Sequence, residues 1–235
     1  MEIELIYEDE ALLAINKPHG LLVHRSSIAK DATEYALQMV REKVGSQVHL
    51  AHRLDRKTSG VLLLAKSKIH LKSLNALFRQ REIKKTYLAL VRGYVMEDQL
   101  IDYPLKHPSG KIQEAQTQVS PLRRYEYPMP SHIHDSSRYS LCELAPQTGR
   151  FHQLRKHMAH LRHPIIGDRP HGCNKQNKLW KEKLQMQTML LHAASLEFTY
   201  EAKQYQITAP LSPEFDRVLA LLKEFTQWKC QPLDK

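Results

Sequence analysis

His52-Arg53-Leu54-Asp55-Arg56-Lys57-Thr58-Ser59-Gly60 is the densest polar stretch of this chain, and the apolar run Val61-Leu62-Leu63-Leu64-Ala65 follows it directly. The Thr-Ser-Gly turn thus leads from an exposed-looking loop into a run that reads as buried. Inside the loop one aspartate lies among three formal cations. Nearby positive charge favours its ionised form. An ionised Asp55 fixed by arginines can serve as nucleophile or base toward a bound anionic substrate. The same residues also fit a turn acid in a surface salt-bridge network.

Working outward, Ile3 to Asn16 holds two short apolar stretches broken at Glu8-Asp9-Glu10 and reads as a pair of strands. Asp31 to Val44 reads as a helix. Asp31 would cap it, Glu34 sits at the capping-box position, Ala36, Leu37, Val40 and Val44 form a stripe, and Gly45 ends it. A second helix covers Ser67 to Arg81, with Leu71, Leu74, Leu77 and Phe78 on one side. The period then changes. Tyr87, Ala89 and Val91 alternate with Leu88, Leu90 and Arg92, a strand stopped by Gly93.

From His107 to Arg138 the chain is polar and carries Pro108, Pro121, Pro128 and Pro130. It reads as a loop or mobile insertion with one strand near Gln116 to Val119. Phe151 to Leu161 is a short basic helix. At the end Ser212 would cap a helix, Pro213 takes its first turn, and Phe215, Val218, Leu219, Leu222 and Phe225 make its apolar face. Strands and helices mix without strict alternation, which predicts an α+β fold. No internal repeat or Gly/Ser linker divides the 235 residues, so one domain over 1–235 is expected.

Composition limits the function classes. A chain of this length buries roughly 70% of its unfolded surface, enough for a large core. No apolar run approaches the ~18 residues of a membrane span, and the acidic start is unlike a signal peptide, so a cytoplasmic protein is expected. Cys142, Cys173 and Cys230 are odd in number and widely spaced, which argues against a disulfide framework or a four-cysteine zinc site. Thirty-five Lys and Arg against 25 Asp and Glu give a net charge of +10, which suits a polyanionic partner.

A second basic segment, Thr148-Gly149-Arg150-Phe151-His152-Gln153-Leu154-Arg155-Lys156-His157, places a glycine turn before a helix. It could aim N–H groups and cations at a phosphate. It also fits an amphipathic helix packed through Leu154, Met158 and Leu161 with its charges in water. His157, His160 and His163, with Cys173 after them, raise a zinc site, but their spacing drifts around a helix and lacks paired ligands. No metal is expected. Walker, GxGxxG, GxSxG and HExxH motifs are all missing, as is any acidic cluster able to hold two metals. Any reaction must run on one carboxylate and at most one phenol.

That inventory, with the string HRLDRKTSG, resembles the catalytic motif of the RluA family of pseudouridine synthases. Asn16-Lys17-Pro18 through Gly20 and Val23-His24 look like the family's NKPxG…VH segment. Lys85 to Gly93 looks like its KxYxAxVxG strand, and Thr148 to His157 like its TGRxHQLRxH box. His163 to Asp168 resembles its HPIxGD turn, and Leu191-His192-Ala193 its LHA strand. The matches keep family order across residues 10 to 195. Within the family, NKPHGLLVHRS and His171, where most relatives carry Tyr, look most like members directed at a uridine at tRNA position 65.

The resemblance implies a pseudouridine synthase fold: a mixed, mainly antiparallel bisected sheet flanked by helices, with two sublobes around a central cleft and no S4 domain. It implies an isomerase without cofactor, acting on tRNA, as a monomer with no obligatory protein partner and no membrane. Asp55 would be the catalytic carboxylate, Arg150 its salt-bridge partner and Tyr87 the aromatic that stacks on the target uracil. Arg53 would fill the space left by the flipped base. Arg56, Lys57, His152, Gln153, Arg155 and Lys156 would contact RNA, while His52 and Thr58-Ser59-Gly60 shape the loop. An apolar lining near Leu54, Leu144 and Ile165 would keep water from the sugar. A non-catalytic RNA-binding or tRNA-folding protein, a ribosomal RNA synthase and a zinc hydrolase are the alternatives.

Overall fold

The computed structural model describes residues 2–25, 33–130 and 134–226. Along the chain the elements are β1 (Glu4–Glu8), β2 (Leu12–Lys17), α1 (Ala36–Val44), β3 (His49–Leu50), β4 (Ser59–Ala65), α2 (Lys68–Gln80), β5 (Lys84–Arg92) and β6 (Gln99–Asp102). They continue as β7 (Leu105–Lys106), β8 (Ile112–Gln113), β9 (Gln116–Tyr127), β10 (Ser137–Pro146), α3 (Gln153–His160), α4 (Asn174–Leu184), β11 (Leu191–Tyr200), β12 (Lys203–Thr208) and α5 (Pro213–Thr226). Mainly antiparallel strands with five helices among the described residues make this an α+β fold. The chain divides into two compact units. Unit 1 is drawn from residues up to Lys85 and from His192–Ser212, and unit 2 from Thr86–Leu191 and the segment after Ser212.

In unit 1 the β1–β2 hairpin turns on Asp9, whose carboxylate accepts the N–H groups of Ala11 at 3.0 Å and Leu12 at 2.8 Å. The central strand is β4, buried at every residue, as its apolar run predicts. One edge of β4 pairs antiparallel with β2 from Gly60 to Ala65. The other edge is shared: β3 pairs antiparallel at Leu64 and Ala65, while β11 runs parallel at Ser59 and Gly60. At that parallel contact Gly60 has φ +106°, and a Cβ there would stand 2.1 Å from the Ala193 carbonyl oxygen. Only glycine fits.

Helix α2 begins where Ser67 Oγ accepts the N–H of His70 at 3.2 Å. It packs Leu71, Leu74, Leu77 and Phe78 on a core that includes Val61, Leu63 and Phe198. Helix α1 differs from the sequence reading. It starts at Ala36, Asp31 lies outside the described residues, and Tyr35 at the N-cap makes no side-chain cap. The N–H groups of Ala36 and Leu37, which have no partner within the helix, instead reach the carbonyls of Leu22 and Val23, at 2.8 and 3.0 Å, so no capping side chain is needed. Gly45 ends the helix in the left-handed conformation, as expected.

Unit 2 is built on the antiparallel order β5-β10-β9-β6. Residues 107–138, read above as a loop or insertion, instead hold β8, the 12-residue β9 and the start of β10. Pro121 misled the reading. It sits where the register slips between Leu141 and Cys142, whose partners are Arg123 and Pro121 with Leu122 between them. A bulge of this kind is where a strand tolerates proline. Leu144 and Ile165, expected to line a pocket, are fully buried in the unit 2 core with Ala89, Val91 and Met158. In α5, Phe215, Val218, Leu219 and Leu222 are buried as patterned, while Phe225 is exposed and meets Tyr127 edge-on.

Because Gly60 carries a steric constraint on both φ and space, Gly60→Ala should lower unfolding free energy by about 2 kcal/mol or more. Urea unfolding measures it, and a variant within 0.5 kcal/mol, the ordinary range of about ±0.5 for surface changes, would contradict the close approach.

Candidate active site

Asp55 lies in the loop that joins β3 to β4, and both ends of that loop are tied to the same strand. Upstream, the backbone N–H of Ala51 donates to the Leu63 carbonyl at 3.1 Å, and the Leu63 N–H donates to His52 Nε2 at 3.0 Å. His52 must therefore be the neutral tautomer that leaves Nε2 unprotonated. Burial pushes its pKa down to about 4, helped by Lys85 and opposed by a hydrogen bond with the Arg53 backbone. The ring also lies against Phe78, centroids 5.1 Å apart. Downstream, Ser59 Oγ and His192 Nδ1 are 2.9 Å apart, and His192 Nε2 reaches the Ala209 carbonyl at 3.2 Å. The Thr58 N–H closes the turn on the Asp55 carbonyl at 3.0 Å.

The middle of the loop is clamped by the segment after β2. Gly20 N–H donates to the Arg56 carbonyl at 2.8 Å, and Arg56 Nε donates back to the Gly20 carbonyl at 3.0 Å. Lys17 completes the clamp. Its side chain is 0% exposed, and its ammonium donates to the carbonyls of Pro18, Leu21 and Arg56 at 2.8, 2.9 and 3.3 Å. Burial lowers the Lys17 pKa to about 7, opposed by the charge of Asp55. A buried cation thus sits within electrostatic reach of the candidate carboxylate. Burial and the charges of Lys17, Lys57 and Arg56 also hold His19 at about 4.

Sequence reasoning placed Lys17 only inside a motif and missed its work. The available signal was a lysine between an apolar strand and a Pro-His-Gly turn, where a cation has carbonyls to bind. Of the other loop residues, Arg53 is exposed and Lys57 half-buried.

The second predicted segment belongs to unit 2, and its central side chains point inward. Gln153 Oε1 accepts from Thr148 Oγ1 at 2.7 Å and the Arg150 N–H at 3.0 Å, while its Nε2 donates to the Gln116 carbonyl at 2.9 Å and Thr117 Oγ1 at 3.0 Å. Gln153, expected to contact RNA, sutures α3 to β9 with both ends of its amide. His157 continues the network. Its Nε2 donates to the Tyr103 carbonyl at 3.0 Å, which leaves Nδ1 to accept from Thr117 Oγ1 at 2.9 Å.

Arg155 likewise turns inward. It is 5% exposed and forms a two-pronged ion pair with Asp168, Nε to Oδ2 and Nη2 to Oδ1 both 2.8 Å. A guanidinium so buried and paired spends its charge within the fold. The bland reading of α3 also needs correction, since Arg155 and His157 are not in water. Leu154 and Met158 do pack as that reading holds.

Arg150 is half-buried and its Nε donates to the Glu114 carbonyl at 2.9 Å. His152 Nδ1 lies 2.9 Å from His171 Nε2, and Lys156 Nζ donates to the Lys106 carbonyl at 2.8 Å. Tyr87, in β5 opposite Leu144, is half-buried against the unit 2 core. The histidines weighed for zinc have separate partners: His160 stacks on Tyr103, and His163 Nδ1 is 2.9 Å from the Arg92 carbonyl. Cys173 Sγ is 3.5 Å from Arg92 Nη1, and Cys230 lies outside the described residues. Among the described residues no three His, Cys, Asp or Glu cluster as metal ligands, and no helix is long and apolar enough to cross a membrane.

Known proteins resemble this chain over most of its length. The family model described as RNA pseudouridylate synthase matches residues 11–160. The tRNA pseudouridine synthase C of Vibrio vulnificus (strain CMCP6) is 42% identical over 237 residues, covering 96% of this chain and 96% of its own. That of Vibrio cholerae serotype O1 is 44% identical over 213 residues, 86% of this chain and 87% of its own. Among solved structures, Human RNA Pseudouridylate Synthase Domain Containing 4 superposes with a TM-score of 0.73 at 26% identity, over 94% of this chain and 93% of its own.

Two outcomes follow from the geometry. His52 has a lowered pKa, so between about 6.5 and about 4 the unfolded chain binds a proton that the folded chain refuses. Stability from this residue is present above 6.5 and is lost as acid passes through that window, up to about 2 kcal/mol between pH 7 and 5. His52→Gln should show the smaller loss in urea unfolding at those two pH values; equal losses would discard the assignment. Arg155→Ala leaves Asp168 buried and unpaired, so it should cost about 3 kcal/mol. The slope of RNA affinity against salt should stay as in the wild type, and a shallower slope would return Arg155 to the phosphate contacts.

Proposed function

Since the chain belongs to the RNA pseudouridylate synthase family, we propose that it isomerises a uridine of tRNA to pseudouridine, with Asp55 as the catalytic carboxylate. Family membership makes the protein an isomerase. The tRNA substrate is carried over from relatives named tRNA pseudouridine synthase C, and uridine 65 from the sequence resemblance. The observation that carries the role of Asp55 is its loop. It is anchored at both ends to β4 and clamped through Lys17 and Arg56. A loop held this firmly fixes the backbone that carries the carboxylate, which meets the positioning demand of catalysis without a cofactor.

The reaction breaks the N1–C1′ bond of uridine, turns the uracil and forms a C5–C1′ bond. N1 gains a proton and C5 loses one, so the product is an isomer of the substrate. Asp55 can add to C1′ or take the 2′ proton, and both roles require the ionised carboxylate. Lys17, in its protonated form, adds positive potential at that group. In this proposal the target base leaves its stack, at a cost of a few kcal/mol, Arg53 replaces the lost stacking, Tyr87 stacks on the uracil and Arg150 pairs with the carboxylate. Arg56, Lys57, Lys156 and His152 contact the RNA backbone, which orients it without reading sequence. The protein acts as a monomer in the cytoplasm.

Asp55→Asn should abolish tritium release from tRNA labelled at uracil C5, while tRNA affinity stays within about two-fold because no phosphate contact is lost. Release by the amide variant would remove Asp55 from the chemistry. A wild-type protein that binds tRNA without releasing tritium would leave the non-catalytic RNA-binding reading in its place.

A further inference from the structure

The β7–β8 hairpin with Tyr103 just before it, and α3 with Phe151 and His152 just before it, carry an unusual run of rings and cations, all within unit 2. Phe151 is 46% exposed and Tyr103 42% exposed. Each has an imidazole stacked on it: His152 on Phe151 and His160 on Tyr103, both with centroids 3.8 Å apart and planes 20° from parallel. His107, at the hairpin end, meets Phe151 edge-on with centroids 6.4 Å apart. Lys156 Nζ lies 5.5 Å from the centre of the Phe151 ring while donating to the Lys106 carbonyl. Lys106 and Lys111 add two exposed ammonium groups on the hairpin itself.

Rings of this size normally turn inward, and a pair left outside beside three lysines calls for a ligand with both flat apolar faces and negative charge. Nucleic acid has both. Every base presents a π face, and its phosphate follows within reach of a neighbouring cation. The tight turn adds rigidity: His107 N–H donates to the Lys111 carbonyl at 2.8 Å, Gly110 N–H donates to the His107 carbonyl at 2.8 Å, and the Lys156 bond ties hairpin to helix. The platform is thus built before RNA arrives. Asp102 and Glu114 are the acids of the same segment. The carboxylate of Asp102 accepts from Gln116 Nε2 at 2.9 Å, and neither acid is a partner in the ring and lysine contacts described above.

We propose that this surface is a second RNA-contact region, where Phe151 and Tyr103 stack on unpaired bases of the substrate and Lys106, Lys111 and Lys156 take the adjoining phosphates. It deepens the reading of the protein as a tRNA-modifying enzyme and rests on it. None of its rings or lysines is assigned a part in the bond rearrangement, so it fixes where RNA is held, not what is done to it.

The test uses the full chain with two probes, a tRNA transcript substituted with 4-thiouridine and a single-stranded oligouridylate. Loss of one stacked base predicts that Phe151→Ala weakens oligouridylate binding roughly five- to fifty-fold. Phe151→Trp, which keeps a π face, should restore it, and this rescue separates stacking from misfolding. Ile69→Ala, an exposed apolar change on α2, should bind like the wild type. Photocrosslinks from tRNA should fall on peptides containing Phe151 or Tyr103. The idea is overturned if the Phe151→Ala/Tyr103→Ala double variant binds both probes as the wild type does, or if crosslinks miss both peptides. It is also overturned if polyaspartate displaces oligouridylate equally well from wild type and double variant, which would mark an acidic-protein surface. Tritium release from tRNA by the wild type, measured in parallel, tells failure of this inference apart from failure of the enzyme assignment.

Discussion

At Gly60 the backbone of β4 approaches Ala193 of β11 more closely than any side chain would allow, and the candidate catalytic loop depends on that approach. The parallel pairing there is only two residues long, Ser59 with His192 and Gly60 with Ala193. It nevertheless fixes where the loop ends, because the bond between Ser59 and His192 locks the same two residues through their side chains. Where the loop begins is fixed four residues further along the same strand face, at Leu63 with His52. A stretch between two such anchors has few conformations left, and the Lys17 and Arg56 bonds remove more of them. The entropy that would otherwise oppose a fixed carboxylate is thereby spent during folding.

Much of this was legible in the sequence, for reasons that can be named. The β1–β2 hairpin, α2, β5 and α5 follow from apolar periodicity interrupted by turn or capping residues, and these signals are local. What failed to show was non-local. Pro121 breaks a strand by its own propensity, but a bulge opposite Leu141 and Cys142 absorbs it. The start of α1 depends on carbonyls of Leu22 and Val23, which no inspection of residues 31–36 reveals.

The candidate site divides in the same way. Asp55 announces itself as a lone acid among cations, whereas the inward turn of Gln153 and Arg155 depends on partners at Thr117 and Asp168 that lie 36 and 13 residues away. A helix rich in basic residues looks like a phosphate grip until its partners are known. Net charge misleads similarly: Arg41, Arg124 and Arg217 donate to the carbonyls of Val48, Val95 and Leu184, so part of the +10 serves the fold and not the partner.

The division of the chain bears on how it is made. Unit 1 needs β11 and β12, which lie beyond Leu191, whereas its first part ends at Lys85. During synthesis the Ser59–Gly60 end of the β4 edge, which will receive β11, leaves the ribosome unpaired and stays so until Ala193 emerges, 108 residues after Lys85. At typical elongation rates that interval is on the order of ten seconds. An apolar strand with an open edge is an aggregation hazard for that time. Unit 2 runs unbroken from Thr86 to Leu191 and can begin to collapse while the half bearing the aspartate still waits for its last two strands, which makes that half the one most in need of a chaperone; α5, the closing helix of unit 2, emerges later still.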